Sequence, residues 1–370
     1  MSIKPLGRDC ELSTTGIGTD GEAIASWNVV RAILEQIGPV FRARGGEVWS
    51  GGVSRRGSYG ESASSMDCLR NWVSNGQNYY SDMGHVEVCT ALTACPKQFA
   101  AQCISTLLVV EEARKLAQAQ ADEGVQYSLS ATNADVLDPA ISWGTHLNVS
   151  VSHWLWEDLC LSHRHPAILG FVASAIAAAI PFFGAGYLLP MKDGSTVYSL
   201  SGRAHHLSRM KTLSTTEAWG RGLLNTRREP WGEDQDRLHL IGFDYSIVSA
   251  ALLGTFVQCV LAAAEEGYCG CNVYDPVRAL RTWSWSLDKD TGRMSAAATM
   301  VDGSKRTLPA YIGELAATLL EMCQSGLITE EVAPNAVELL PKIVELAHYA
   351  EEGSVNRCAK HLDWAAKLLY

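Results

Sequence analysis

Asn78–Val88 reads NYYSDMGHVEV. An extended backbone alternates its side chains between two faces, so His85 and Glu87 share one, with Asp82 across a turn at Met83-Gly84. An acid, an imidazole and a second acid then converge beside two tyrosines. The stretch is either a solvated turn or half of a metal-and-catalytic site, and the rest of the chain has to decide between them.

Outward from this motif, strand and helix signals interleave. GRDCEL (7–12) reads as a short strand with Asp9 and Glu11 on one face and Cys10 on the other, and paired carboxylates on a sheet face suit Mg²⁺. Residues 22–37 are apolar at helical spacing and stop at Gly38-Pro39. The Gly-, Ser- and Arg-rich stretch 44–66 reads as a flexible loop long enough to serve a function. A long helix is expected over 97–122. SWGTHLNVSVSHW (142–154) alternates like a strand, with His146 and Asn148 on one face. An Ala-rich run, 167–180, has nearly the length of a membrane span, but Pro181 and the Gly184–Gly186 pair break it, which favours a buried helix and then a buried strand. A hairpin is expected around the turn at 192–194. In DRLHLIGFD (236–244), a strand, Arg237 and His239 oppose Leu238 and Leu240. An apolar helix follows over 246–266, and the C-terminal third reads as helical to its end. The pattern is α+β with a largely antiparallel sheet.

The totals narrow the function. A chain of 370 residues, 47% hydrophobic and 19% charged, is a folded catalytic-sized protein. A net charge of −10, with no Lys/Arg run longer than two, argues against nucleic acid as a partner. Eleven scattered cysteines and an N-terminus without a signal-like apolar core fit a reducing cytoplasm. CGC at 269–271 lacks a second pair at zinc spacing. Arg203, Arg227, Arg228 and Arg237 offer forks that match phosphate oxygens, or else pair with Glu229, Glu233, Asp234 and Asp236. No Walker, kinase or Rossmann glycine loop is present, so a nucleotide would sit on another scaffold.

In order, GRDCEL, NGQNYYSDMGHVEV, ISWGTHLNVS, FFGAGYLL, YSLSGRAHH, LNTRREPWGEDQDRLHLIGFDYS, YDPVRALRTWS and LDWAAKLLY resemble the family of the Pup ligase and the Pup deamidase (depupylase). Pup is the prokaryotic ubiquitin-like protein, and the family is related to glutamine synthetase. The likeness covers nearly the whole chain and is most specific over Asn225–Asp244. It implies one catalytic domain over 1–370, a curved, mainly antiparallel sheet cradle packed against helices, binding ATP and Mg²⁺. By the same resemblance Asp82 is the catalytic carboxylate. Asp9, Glu11, Glu87, His146 and His239 fall on the metal positions, and Arg203, Arg227, Arg237 and Asn148 on the nucleotide side. The implied reaction moves the γ-phosphoryl group of ATP to a carboxylate, and an amine then attacks the acyl phosphate to give an amide or isopeptide bond.

The departures bear on the substrate. Asp9 replaces the first of the family's two opening glutamates, and Leu147 replaces the Glu of its His-Glu-Asn. Arg228, Trp231 and Val88 stand where the family has an acid, a His and a Tyr. The chain stops just after LDWAAKLLY, before the family's small C-terminal domain. We therefore expect a carboxylate donor other than, or in addition to, Pup, from a small molecule, peptide or protein, or a partner chain that supplies the missing part. The long 44–66 stretch resembles the deamidase branch instead. An amidase with bound nucleotide as cofactor, and an inactive nucleotide-binding regulator, are the rival readings.

Overall fold

The structure is a computed structural model. It describes residues 2–50, 69–135, 138, 141–162, 164–191, 193–215, 220–231 and 233–370. Most of the expected 44–66 loop lies outside the described residues, as does Lys192 of the expected hairpin turn.

The elements follow in chain order as β1 (Leu6–Ile17), α1 (Ser26–Leu34), α2 (Ile37–Arg42), β2 (Val48–Ser50), β3 (Arg70–Val73), β4 (Asn78–Asp82), β5 (His85–Cys89), α3 (Pro96–Gln120) and β6 (Gln126–Ser130). Then come β7 (Thr145–Ser152), α4 (His153–Glu157), α5 (Pro166–Phe182), β8 (Tyr187–Pro190), β9 (Thr196–Ser199), β10 (Leu207–Thr212), β11 (Arg221–Asn225), β12 (Gln235–Leu240) and α6 (Ala250–Glu265). The chain ends with α7 (Pro276–Ser284), β13 (Ala297–Thr299), β14 (Lys305–Thr307), α8 (Leu308–Gln324), α9 (Ala336–Glu352), α10 (Val355–Cys358) and α11 (Asp363–Leu368). The class is α+β. It falls into two compact units, an N-terminal one of Gly7–Leu92 and Ala101–Thr132, and a C-terminal one of Met1–Leu6, Thr93–Ala100 and Asn133–Tyr370. Within each unit the strand pairs are antiparallel, apart from the parallel pair β10–β11.

In the N-terminal unit, β1 pairs β5 with its first half and β6 with its second. The sheet then runs β5-β4-β3-β2. Its alternation is clean on β1, where Arg8, Cys10, Leu12 and Thr14 are buried and Asp9, Glu11 and Ser13 are half-buried. The buried face meets α1, whose Val29, Val30, Ile33 and Leu34 are inaccessible. Gly16 permits the contact, because a methyl group there would lie 2.6 Å from Val29 Cγ2.

In the C-terminal unit the strand order is β10-β11-β12-β7. The apolar helices α5 and α6 pack against each other, α5 against β11 and α6 against β7. Helix α5 is buried from Ile168 to Phe182 apart from Gly170, as its Ala-rich sequence implied. Among the described residues no single helix is long and apolar enough to cross a membrane. Strand β7 is buried on both faces, so the alternation seen in the sequence is one of chemistry rather than of exposure.

Four expectations need correction. The first helix ends at Leu34, and Gly38-Pro39, read as a stop, lies inside α2. Proline is tolerated in a first turn because the N–H it lacks would have no partner there. The strand read over 142–154 gives way to helix at His153, and the one over 236–244 ends at Leu240. The C-terminal third holds the β13–β14 hairpin among its helices, in strands too short to leave a periodic signal.

Two carboxylates, buried Asp244 and half-buried Asp363, tie the loops of the C-terminal unit. Asp244, 2% exposed, accepts from the backbone N–H groups of Ala185 (3.0 Å), Gly202 (3.1 Å) and Arg203 (3.0 Å) and from Ser201 Oγ (3.1 Å). Burial raises its pKa, and these hydrogen bonds oppose that shift. Asp363, from the C-terminal LDW, caps the approach to α6 by accepting from the N–H groups of Ile247 (2.9 Å) and Ser249 (3.1 Å). Trp364 beside it is fully buried and donates to Phe182 O (3.0 Å). An amide at position 244 turns one acceptor oxygen into a donor facing donors. Asp244→Asn should therefore lower stability by about 1–3 kcal/mol, read as a shifted denaturant midpoint at unchanged m-value.

Candidate active site

The opening motif is a two-residue hairpin. Asp82 pairs with His85, and the residues between them, Met83 (φ 46°) and Gly84 (φ 83°), both take positive φ, as a type I′ turn requires. Glycine adopts that conformation at no cost, and methionine does so here against its preference. The turn fixes the register of β4 on β5, and β5 fixes that of β1. Glu11 therefore lies directly across from Glu87, and Glu87 across from Tyr80. Asp9 and Asp82 point to the same side by alternation. Four carboxylates thus share one sheet face, on β1, β5 and β4.

Glu87 is the innermost, 4% exposed. Its pKa is pushed well above the carboxylate range, first by burial, then by the charges of Asp9 and Asp82, while a hydrogen bond from the Tyr80 hydroxyl opposes the shift. Burial likewise raises Tyr80, with Cys89 and Glu87 adding to it. His85 is lowered by burial, against the pull of Glu11 and Asp82. Crowded oxygen donors around a buried carboxyl that resists ionisation, Glu87, are the chemistry a divalent cation relieves, so Asp9, Glu11 and Glu87 fit Mg²⁺. Sequence reading missed Tyr80. Its signal was present, because Tyr80 stands two residues before Asp82 and so faces the same way.

In the C-terminal unit, β12 and β7 bring Arg237, His239, His146 and Asn148 to one face. His239 lies across from Asn148 and also pairs with Asn225 of β11. The rings of His146 and His239 meet edge to face at 4.8 Å. Arg237 Nη2 lies 3.2 Å from His239 Nδ1 and 2.6 Å from Glu229 Oε2. Leu238 and Leu240 point to the core, as expected.

The arginines separate by what they touch. Arg203 is 1% exposed, and its guanidinium donates to Ser142 Oγ (3.0 Å), Trp143 O (3.0 Å) and Ile241 O (2.9 Å). These bonds make it a brace between loops. Its sequence context gave no sign that three protein oxygens would claim the fork. Arg228 pairs with buried Asp236 (3.2 Å) and lies over Trp156 (5.4 Å). Asp236 also binds His153 Nδ1 (2.6 Å). Arg227 is exposed two residues beyond β11, held by its own N–H on Asn225 Oδ1 (2.9 Å), and its guanidinium has no partner among the described residues. The salt bridges weighed as the plain alternative are thus found at Arg228 and Arg237 and not at Arg227.

Two pH dependences follow. Glu87 has a folded pKa above its unfolded value, so its ionisation costs stability as pH rises through the folded pKa. Without metal, Glu87→Gln should raise the melting temperature at pH 8 and leave it nearly unchanged at pH 4. His206, 1% exposed, is lowered to about 3, first by burial, then by His205, Arg203 and Arg221. Only the unfolded chain protonates it between its ordinary pKa and that value. Stability should fall as pH drops from about 6.5 toward 3, and His206→Phe should flatten that part of the curve in urea titrations at stepped pH.

Comparison with known proteins places this geometry. The family profile described as Pup-ligase protein matches residues 23–369. The Pup ligase PafA in complex with Pup superposes with a TM-score of 0.66 at 18% identity, over 99% of this chain and 67% of that one. A structure of PafA in complex with ADP gives 0.60 at 22% identity, over 79% of this chain and 63% of that one. At these identities the structural matches show a shared fold. Among curated proteins, none matches the sequence. The chain belongs to the Pup-ligase protein family, whose class of reaction is ATP-dependent ligation.

Proposed function

We propose that this chain is an ATP- and Mg²⁺-dependent carboxylate–amine ligase, working as one catalytic domain, that forms an amide or isopeptide bond through an acyl phosphate. The observation that carries the reading is the four-carboxylate face built around buried Glu87. Such a face is costly to keep without a cation. Pup is the first donor to test, since the ligase of the matched structure binds it. Leu147, Val88, Arg228 and Trp231 change side chains on or beside β7, β5 and β12, so a second carboxylate donor, peptide or protein, belongs in the same assay.

In the N-terminal unit Asp9, Glu11 and Glu87 would hold Mg²⁺, and in the C-terminal unit His146 and His239 would be metal-linked histidines. The bound cation would supply charge neutralisation at the phosphates. Arg227 is the exposed guanidinium suited to phosphate oxygens, with Asn148 and Arg237 as further nucleotide contacts. A protonated amine is no nucleophile, so Asp82, half-buried at the hairpin mouth, accepts or orients its proton.

The test is ADP release from Mg²⁺-ATP with Pup, with pools of acidic peptides and with small acids, each with amines. Donor-dependent ADP should appear and fall about 10²–10⁴-fold in Asp82→Asn. Bound nucleotide with amide cleavage and no ADP would overturn the ligase reading in favour of an amidase.

A further inference from the structure

On the carboxylate face of the N-terminal sheet, β3 and β2 continue the rows set by β1, β5 and β4. Arg70 lies across from Tyr80, and Trp72 lies across from Asn78 on one side and Trp49 on the other. Among the described residues Arg70 is the only Lys or Arg that alternation puts on this face. Its guanidinium carbon stands 3.9 Å over the Tyr80 ring and 5.7 Å from the Trp72 ring, and it makes no ion pair among the described residues. Stacking occupies the flat side of the guanidinium and leaves its edge N–H groups for a bidentate anion. Trp49 and Trp72 are 55% and 42% exposed, an aromatic pair left open to solvent.

We propose that Arg70, Trp72 and Trp49 form the docking strip for the carboxylate donor, and that this donor is an acidic peptide segment with a second anionic group on Arg70 and an apolar side chain on the tryptophan pair. The inference rests on the ligase reading and adds the donor's chemistry. Electrostatics supply the reason. A donor approaching four carboxylates is repelled, and a fixed cation on the same face offsets that repulsion. Spacing supplies the size. From the row of Glu87 on β5 to Trp49 on β2 is three strand steps, about 14 Å at ~4.8 Å each. That is beyond a small acid and equals about four extended residues at ~3.4 Å each. Arg70 stands two steps from Glu87, about 10 Å, so it binds an anion other than the reacting carboxylate.

The test uses the full chain with Mg²⁺-ADP and two fluorescein-labelled peptides, Leu-Glu-Gly-Glu and Leu-Gln-Gly-Glu, with Kd read by anisotropy, and Pup as a third probe. The wild type should prefer the Glu peptide at least tenfold. Arg70→Gln should erase that preference, and Arg70→Lys should keep part of it. Trp49→Ala with Trp72→Ala should weaken both peptides alike, and Mg²⁺-ADP affinity by calorimetry should stay unchanged throughout. A preference that survives Arg70→Gln, or a wild type without one, overturns the strip. If nucleotide binds and ADP is released with small acids while no peptide or Pup binds, the strip fails and the ligase reading stands. If no nucleotide binds, the ligase reading fails, and the docking strip, which needs a ligation donor, fails with it.

Discussion

Like charges held on one side of a pleated sheet are the constraint on which the N-terminal unit depends. Alternation sends Asp9, Glu11, Asp82 and Glu87 to the same face, and pairing brings Glu11 and Glu87 opposite each other. Such a pair costs stability. What maintains it is the opposite face, where Cys10, Leu12, Val86 and Val88 are buried. A register slip of one residue would send the acids inward and the apolar set outward. The hydrophobic face therefore enforces the charged one, and the type I′ turn at Met83-Gly84 locks the register at the point where Asp82 has to stand.

The C-terminal unit solves a different problem. Its sheet carries polar groups on a strand, β7, that is buried from Thr145 to Val151, and each has to be partnered within the fold. Long loops between its elements are held by single buried hubs. Asp244 gathers backbone N–H groups from around Ala185 and Gly202, and Arg203 distributes its guanidinium over three oxygens. Both lie in the segments that carry the family resemblance, so part of that resemblance reflects loop architecture rather than chemistry.

Tyr80 and Arg70 illustrate how function spreads along a sheet. Neither belongs to the acid set, yet one donates to Glu87 and the other stacks on the donor's ring. On the ligase reading proposed above, such a face needs groups that hold its acids in place and groups that admit an anion. Neighbouring strands supply both without new loops.

The sequence by itself determined the elements and the faces. Period-two alternation over GRDCEL put Asp9 with Glu11, and over HVEV put His85 with Glu87, and the run 167–180 declared a buried helix, because these depend only on local spacing. The ordered motifs around Asp82 and Asn225–Asp244 carried the family. Tertiary structure alone decided which residues are spent on the fold. Arg203 and Arg227 look equivalent in the sequence, and only the position of distant oxygens at Ser142, Trp143 and Ile241 makes one a brace and leaves the other exposed. Tyr80 against Glu87, and Arg70 over Tyr80, are likewise cross-strand facts. They are fixed by register, and register is set by burial and turn geometry acting on the whole sheet.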